Sequence, residues 1–384
     1  MLIVMNFPKA WNRRACVISE VWRKVKMDFE GKISYLKQKV EALDIKKCSI
    51  IVWGTGGTAA LYDNAFRIAQ INICAYTNND ADTWGKLKND CPIISPGEIT
   101  AFENPLVVIC VKSQQFLEEI KTQLRETEPS VKNMLVDEFM FGVWANVVLN
   151  NVELLADEKS KKIYKSLICK RINGEDKMYE EFEENGYFAL PMFQIPDEKE
   201  VFVDAGGFVG DTLEQYLFKK LGMFRKYYIF EPDKNNYQAL MTRINRLKKE
   251  WNLREDAVIP IPGGVGRKSS VLYFKEIANG GIGSHYTLEP GANESKVYAL
   301  DDFFQDEKVD FLKADIESWE LDMLLGAVSI IKRDKPRLAI AIYHNATDMC
   351  YILDWINKLD LGYKFYIRHH SPREAETVLY ASCE

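Results

Sequence analysis

Apolar residues recur near helical spacing at the start of the chain: Val17, Val21, Trp22, Val25, Phe29, Ile33, Leu36, Val40 and Leu43. This predicts a charged helical arm over residues 1–45, divided by Gly31. The pattern then shortens. Ser49 to Trp53, Ile71 to Tyr76 and Leu106 to Val111 read as buried strands, and Phe116 to Leu124 as a helix. Ser95-Pro96 opens a short helix through Glu98. These pieces predict a small α/β domain over residues 46–135, with fewer strands than a complete dinucleotide fold. Residues 136–198 read as a charge-rich helical connector, acidic from Met178 to Glu184. Its aromatics Tyr187, Phe188 and Phe193 are expected to pack in the core of a second domain, residues 199–384, the alternative being that they border a ligand cleft.

That second domain opens with an apolar strand, Val201 to Val203, running into Asp204. Glycines stand at 206, 207 and 210, and a helix begins near Asp211 and Thr212. A second strand, Tyr228 to Phe230, ends in Glu231. Further strands are expected at Ala257–Ile261, Val271–Phe274, Val309–Ile316 and Leu338–Tyr343, while Val297 to Leu300 leads into Asp301 and Asp302. A helix over Met349 to Leu359 precedes a closing pair, Tyr363–Ile367 and Thr377–Tyr380. Strands alternating with helices predict an α/β class with a mainly parallel sheet. Open sheets of this kind bind ligands outside the carboxyl ends of their strands. Asp204, Glu231, Asp315 and His344 all fall at such ends.

Composition narrows the classes. With 47% hydrophobic and 28% charged residues the chain reads as ordinary globular protein. A net charge of -6 argues against a general nucleic-acid binder. No apolar run approaches the roughly 20 residues that span a bilayer, so no transmembrane segment is expected. The start, MLIVMNF, is apolar before it is charged, the reverse of a signal peptide. Eight cysteines without C-x-x-C and four histidines argue against a zinc or disulfide framework and fit a reducing cytoplasm. Arg13, Arg14, Arg23, Lys24 and Lys26 read as a solvated face, and the arm as a packing or homodimer element.

Two glycine loops carry the candidate chemistry. Gly54, Gly56 and Ala59 match G-x-G-x-x-A. Asn78 stands where an NAD site usually carries an acid, which disfavours NAD. In the second loop Asp204, Gly206 and Gly210 keep a D-x-G-x-x-x-G frame, with Phe208 where a dinucleotide site often has glycine. An acid just inside that loop suits a cationic ligand such as the sulfonium of S-adenosylmethionine (SAM) better than a pyrophosphate. The expected cofactor contacts are Asp204, Gly206, Gly207, Phe208, Gly210, Asp211, Thr212, Glu231, Asp233 and Asp315, with Glu231 holding ribose hydroxyls.

The first half resembles the small Rossmann-like domain in front of sugar-modifying enzymes of surface-polysaccharide pathways. I-V-W-G-T-G-G, N-N-D and C-P-I-I-S-P-G-E-I carry the resemblance. It implies either a nucleotide or nucleotide-sugar site or a silent scaffold. Residues 199–384 resemble an FkbM-type SAM-dependent methyltransferase through V-F-V-D-A-G-G-F-V-G-D-T, I-F-E-P-D, V-D-F-L-K-A-D-I-E and L-A-I-A-I-Y-H-N-A-T-D. The tail G-Y-K-F-Y-I-R-H-H with E-T-V-L-Y also matches. This implies a class I methyltransferase fold and methyl transfer to oxygen, often on sugars or polyketide-like products. It places the donor motif on Asp204, Gly206 and Gly210, the ribose acid on Glu231, and D-I-E on Asp315, Ile316 and Glu317. Gly207 stands for an expected alanine. Ser318-Trp319-Glu320 replaces Gly-Ala-Glu, and bulky Trp319 can reshape the acceptor side.

Methyl transfer needs an aligned acceptor oxygen and a route for its proton. His344 is the expected base, because an unperturbed imidazole titrates at about 6.5. Asp315 or Glu317 would orient it or the acceptor, and His369 would border the acceptor pocket. No metal is expected, since no clustered histidines back Asp315 and Glu317. The expected partner is a glycan or small-molecule acceptor. The competing reading is a nucleotide-sugar-binding or assembly protein with an inactive methyltransferase domain, against which the intact Asp204, Gly206, Gly210 and Glu231 set speaks.

Overall fold

A computed structural model describes residues 27–173, 182–184, 186–275, 285–287, 293–373 and 375–383. Most of the predicted arm, its basic cluster and much of the acidic run after Met178 lie outside the described residues. Helix α1 (Phe29–Leu43) starts at Asp28, whose carboxylate accepts from the Gly31 N–H at 2.8 Å. That cap lies one turn before Gly31, so the helix runs through the glycine instead of breaking there. Phe29, Ile33, Leu36 and Val40 are buried on one face of it. They pack against α4 (Val136–Val143) and α5 (Ala145–Leu154), where a Cβ at Gly142 would lie 2.5 Å from Val40 Cγ2. The described part of the apolar stripe, read as a packing or dimer element, therefore packs within the chain.

The first sheet has the order β3-β4-β2-β1-β5-β6. Its strands are β1 (Ser49–Trp53), β2 (Ile73–Thr77), β3 (Leu87–Lys88), β4 (Cys91–Ile94), β5 (Pro105–Ile109) and β6 (Lys132–Leu135). Helix α2 (Gly57–Ile68) follows β1, and α3 (Gln114–Thr127) follows β5. The sheet is fuller than the apolar runs predicted. Strands β3 and β6 sit at its two edges, where one-sided burial leaves little apolar signal: in β6 only Met134 is fully buried. After α5, α6 (Glu158–Asn173) packs on the far end of the second sheet. One continuous apolar cluster includes Leu36 of α1, Val52 of β1, and Val203 and Leu312 of the second sheet.

The second sheet is built from β7 (Val201–Ala205), β8 (Lys226–Phe230), β9 (Val258–Ile261), β14 (Phe311–Ala314), β15 (Arg337–Ala341), β16 (Lys364–His369) and β17 (Thr377–Ser382). Its order is β16-β17-β15-β14-β7-β8-β9. Counted along the chain within this sheet, that is 6-7-5-4-1-2-3, and β17 runs antiparallel to β15. Strands β7 and β14 are buried at every position, as expected of central parallel strands covered on both faces. Helices α7 (Asp211–Lys219) and α8 (Lys234–Glu250) follow β7 and β8. A smaller sheet, β10 (Gly264–Val265), β11 (Ser270–Lys275), β12 (His285–Thr287) and β13 (Asn293–Tyr298), is inserted after β9. Then come α9 (Leu300–Phe303), α10 (Glu320–Leu325), α11 (Val328–Asp334) and α12 (Ala346–Asn357). No helix among the described residues is long and apolar enough to cross a membrane.

Candidate active site

Strand order reverses between β7 and β14, and a cavity of about 450 Å³ opens there. This is the switch-point crevice of an open α/β sheet. Its wall takes Gly206 and Phe208 from the β7 turn, Glu231 from the end of β8, and Asp315 and Glu317 after β14. Tyr343 enters after β15. The size suits a small organic ligand.

The turn after β7 is shaped by close approach. Gly206 has φ +85°, and a Cβ there would lie 2.0 Å from the Asp315 carbonyl oxygen. Only glycine lets the two strand ends come that near. Gly207 is confined by packing, since its Cβ would meet Ile229 at 2.1 Å. Gly207 and Gly210 do not line the cavity; Asp211 and Thr212, in the first turn of α7, do.

Asp204 departs from its expected role. It is fully buried, its Oδ1 lies 2.9 Å from Lys313 Nζ, and its Oδ2 accepts from the Tyr227 hydroxyl at 2.9 Å. Lys313 also donates to the Gly206 carbonyl at 2.6 Å. The acid is thus neutralised beneath the turn and does not face a ligand. Burial opposes the charged form of Lys313, but the adjacent Asp204 carboxylate holds it protonated. Asp233 departs too: it caps α8, accepting from the N–H groups of Asn235 and Asn236.

Glu231 does line the cavity. One carboxylate oxygen accepts from Phe208 N–H at 2.7 Å, the other from Asp233 N–H at 2.8 Å. Burial lifts its pKa to about 7, against the pull of those two N–H groups.

On the opposite side Asp315 accepts from Tyr187 at 2.6 Å and from Tyr343 at 3.1 Å. Tyr187, from the connector, borders the cavity, while Phe188 and Phe193 pack edge-on against Phe311 below the sheet. Glu317 and Ser318 have φ of +53° and +74°, so the chain turns sharply here and α10 begins only at Glu320. Trp319 lines the cavity.

His344 is not placed as a free base. Its side chain is 3% exposed, with Nε2 3.4 Å from Asp315 and 3.7 Å from Glu317, and Nδ1 3.3 Å from Glu320. Burial alone would lower its pKa, but Glu320, Asp315 and Glu317 outweigh that and lift it to about 10. These carboxylates favour the protonated ring when nothing else lies among them. Glu320, fully buried, was missed by sequence reasoning; its place one turn after D-I-E was the available signal. His369 is also displaced from its expected position: it is buried and bonded through Nδ1 to Thr377 at 2.8 Å. His370 lines the cavity instead, its ring nitrogens engaged with the Glu183 carbonyl and the Tyr380 hydroxyl. In the first sheet Asn78 donates to Thr55 and Thr83, tying the loops beside Gly54–Ala59 together.

Sheet order and crevice define a class I methyltransferase fold. Residues 204–365 match the methyltransferase FkbM domain family, and the chain carries an FkbM-type methyltransferase domain. Residues 46–134 match the family described as C2185-like, N-terminal. Among solved structures, the fold is similar to methyltransferase FkbM from Methylobacillus flagellatus KT: 19% identity, TM-score 0.52, covering 92% of this chain and 100% of that one. An rRNA methylase from Streptococcus thermophilus overlays at 16% identity and TM-score 0.32, covering 49% of this chain and 88% of that one. No curated protein matches the chain.

Proposed function

We propose that the protein is a SAM-dependent O-methyltransferase acting on a hydroxyl of a sugar or glycan precursor in the cytoplasm. The observation that carries this is the two-sided cavity, with Gly206, Phe208 and Glu231 on one wall and Asp315 and Glu317 on the other. Glu231 would hold the ribose of the donor, and the turn from Gly206 to Phe208 would lie against it. Bound SAM supplies a methyl group on a sulfonium, a ready leaving group. The acceptor oxygen forms the new C–O bond as the C–S bond breaks, and its electron pair stays on sulfur. Asp315, fixed by two tyrosines, would orient the hydroxyl, and the Glu317 carboxylate would take its one proton. His344 lies buried behind them and takes no proton from the acceptor.

The test is calorimetry of the full chain with SAM, NAD and a nucleotide-sugar panel, followed by a screen of glycans with labelled SAM. Binding of SAM with label transferred to a glycan supports the reading. Binding of NAD without SAM overturns it. Nucleotide-sugar binding without SAM would shift the function to the Gly54–Ala59 loop.

A further inference from the structure

His344, Asp315, Glu317 and Glu320 form a buried cluster whose spacing the methyl-transfer reading does not explain. The two contacts of His344 Nε2, at 3.4 Å to Asp315 and 3.7 Å to Glu317, are too long for good hydrogen bonds. Neither ring nitrogen of His344 completes a hydrogen bond, and neither does the second carboxylate oxygen of Glu320, although all three atoms are buried. Buried polar atoms are normally satisfied, and here several converge without a partner among the described residues. The 3.4 Å separation is natural for ligands that share one ion, and the 3.7 Å one lies just beyond their usual range. Two donors each about 2.1 Å from a cation, at ordinary coordination angles, lie about 3.0–3.6 Å apart. Donor atoms of Asp315, Glu320 and His344 all fall within 4.8 Å of one another.

We propose that this cluster is a divalent-cation site, with His344 Nε2, Asp315 and Glu317 as ligands and Glu320 as the carboxylate that orients the imidazole through Nδ1. A carboxylate behind a ligating histidine is the usual arrangement for fixing its tautomer. One imidazole and two carboxylates suit a first-row ion such as Mn²⁺ or Zn²⁺ better than Mg²⁺, which prefers oxygen alone. Asp315 and Glu317 line the cavity, whereas His344 and Glu320 are sealed behind them. The open coordination positions therefore face the cavity, where an acceptor hydroxyl can bind and be polarised. The histidine absent from the sequence-level case for a metal is supplied by the chain just after β15, the strand beside β14. The site's catalytic use rests on the methyl-transfer reading, but its existence does not.

The experiment is Mn²⁺ titration of the chelator-treated full chain, read by the electron paramagnetic resonance of free Mn²⁺, with Zn²⁺ competition. SAM binding is measured on the same sample by calorimetry. One displaceable Mn²⁺ per chain is expected. Glu317→Gln, at a partly exposed position, should weaken binding at least about tenfold, and His344→Gln should abolish it, with folding checked by circular dichroism. No Mn²⁺ or Zn²⁺ binding, or binding unchanged in folded Glu317→Gln, overturns the proposal. SAM binding without cation binding would sink the cation site alone. Cation binding without SAM binding would sink the methyl-transfer reading alone.

Discussion

Lys313 and Asp204 are register partners on adjacent strands, and their side chains meet 2.9 Å apart with almost no exposure. Removing one member of such a pair leaves a buried charge uncompensated. Lys313→Met should destabilise the protein by about 3–5 kcal/mol in urea unfolding. The Asp204→Leu, Lys313→Met double variant should recover much of that. A single-variant loss below about 1 kcal/mol would show the pair is solvated after all.

Glu231 gives a pH signature. Its folded pKa of about 7 lies above the ordinary value of 4.5. The folded state therefore binds the extra proton, and this group's stabilisation is lost as pH rises from 4.5 toward 7. Donor binding should run the other way, because the ionised carboxylate is the better acceptor for ribose hydroxyls. Affinity for SAM should be roughly tenfold weaker at pH 6 than at pH 8. Asp233 and Lys313 are the charged groups acting on it. Glu231→Gln should flatten the profile; an unchanged profile would remove Glu231 from the binding site.

Gly206→Ala should be severe. The new methyl would lie 2.0 Å from a backbone oxygen at φ +85°. A loss of about 3 kcal/mol or more is expected, together with loss of SAM binding. Near-normal melting and binding of this variant would mean that the turn is looser than described.

The connector is tied to the second sheet by Arg368, which donates to Asp157 at 2.7 Å. Burial opposes the Asp157 charge, but Arg368 and Ser160 hold its pKa at about 2, below the ordinary 3.8. This contribution is present above pH 3.8 and lost as pH falls toward 2. Asp157→Asn should cost roughly 2 kcal/mol at neutral pH and little near pH 2, by denaturant melts at both. Equal costs at the two pH values would rule out the ion pair as the cause.

The central strands and the glycine turn were legible because strands such as Val201–Ala205 and Leu338–Ala341 are apolar runs closed by polar residues. The edge strand Lys132–Leu135 was not, because an edge offers too little burial to mark the sequence. The same limit applies to the site. Asp315 was found from its motif, but Tyr187, which donates to it, is 128 residues away in sequence. Lys313 sits inside an apolar run and gave no sign that it would neutralise Asp204. His344 was found by position, but its neighbours Glu320 and Glu317 were not, because a backbone reversal that no local pattern announces brings them to it.

Tyr187 borders the cavity, while Phe188 and Phe193 sit under the sheet, and all three precede the segment that carries the family likeness. The catalytic half is therefore not a portable module. A transplant of residues 199–384 into another host would bring the glycine turn but leave the crevice missing a side and the sheet's underside bare. Any swap of this half between chains has to carry the connector with it.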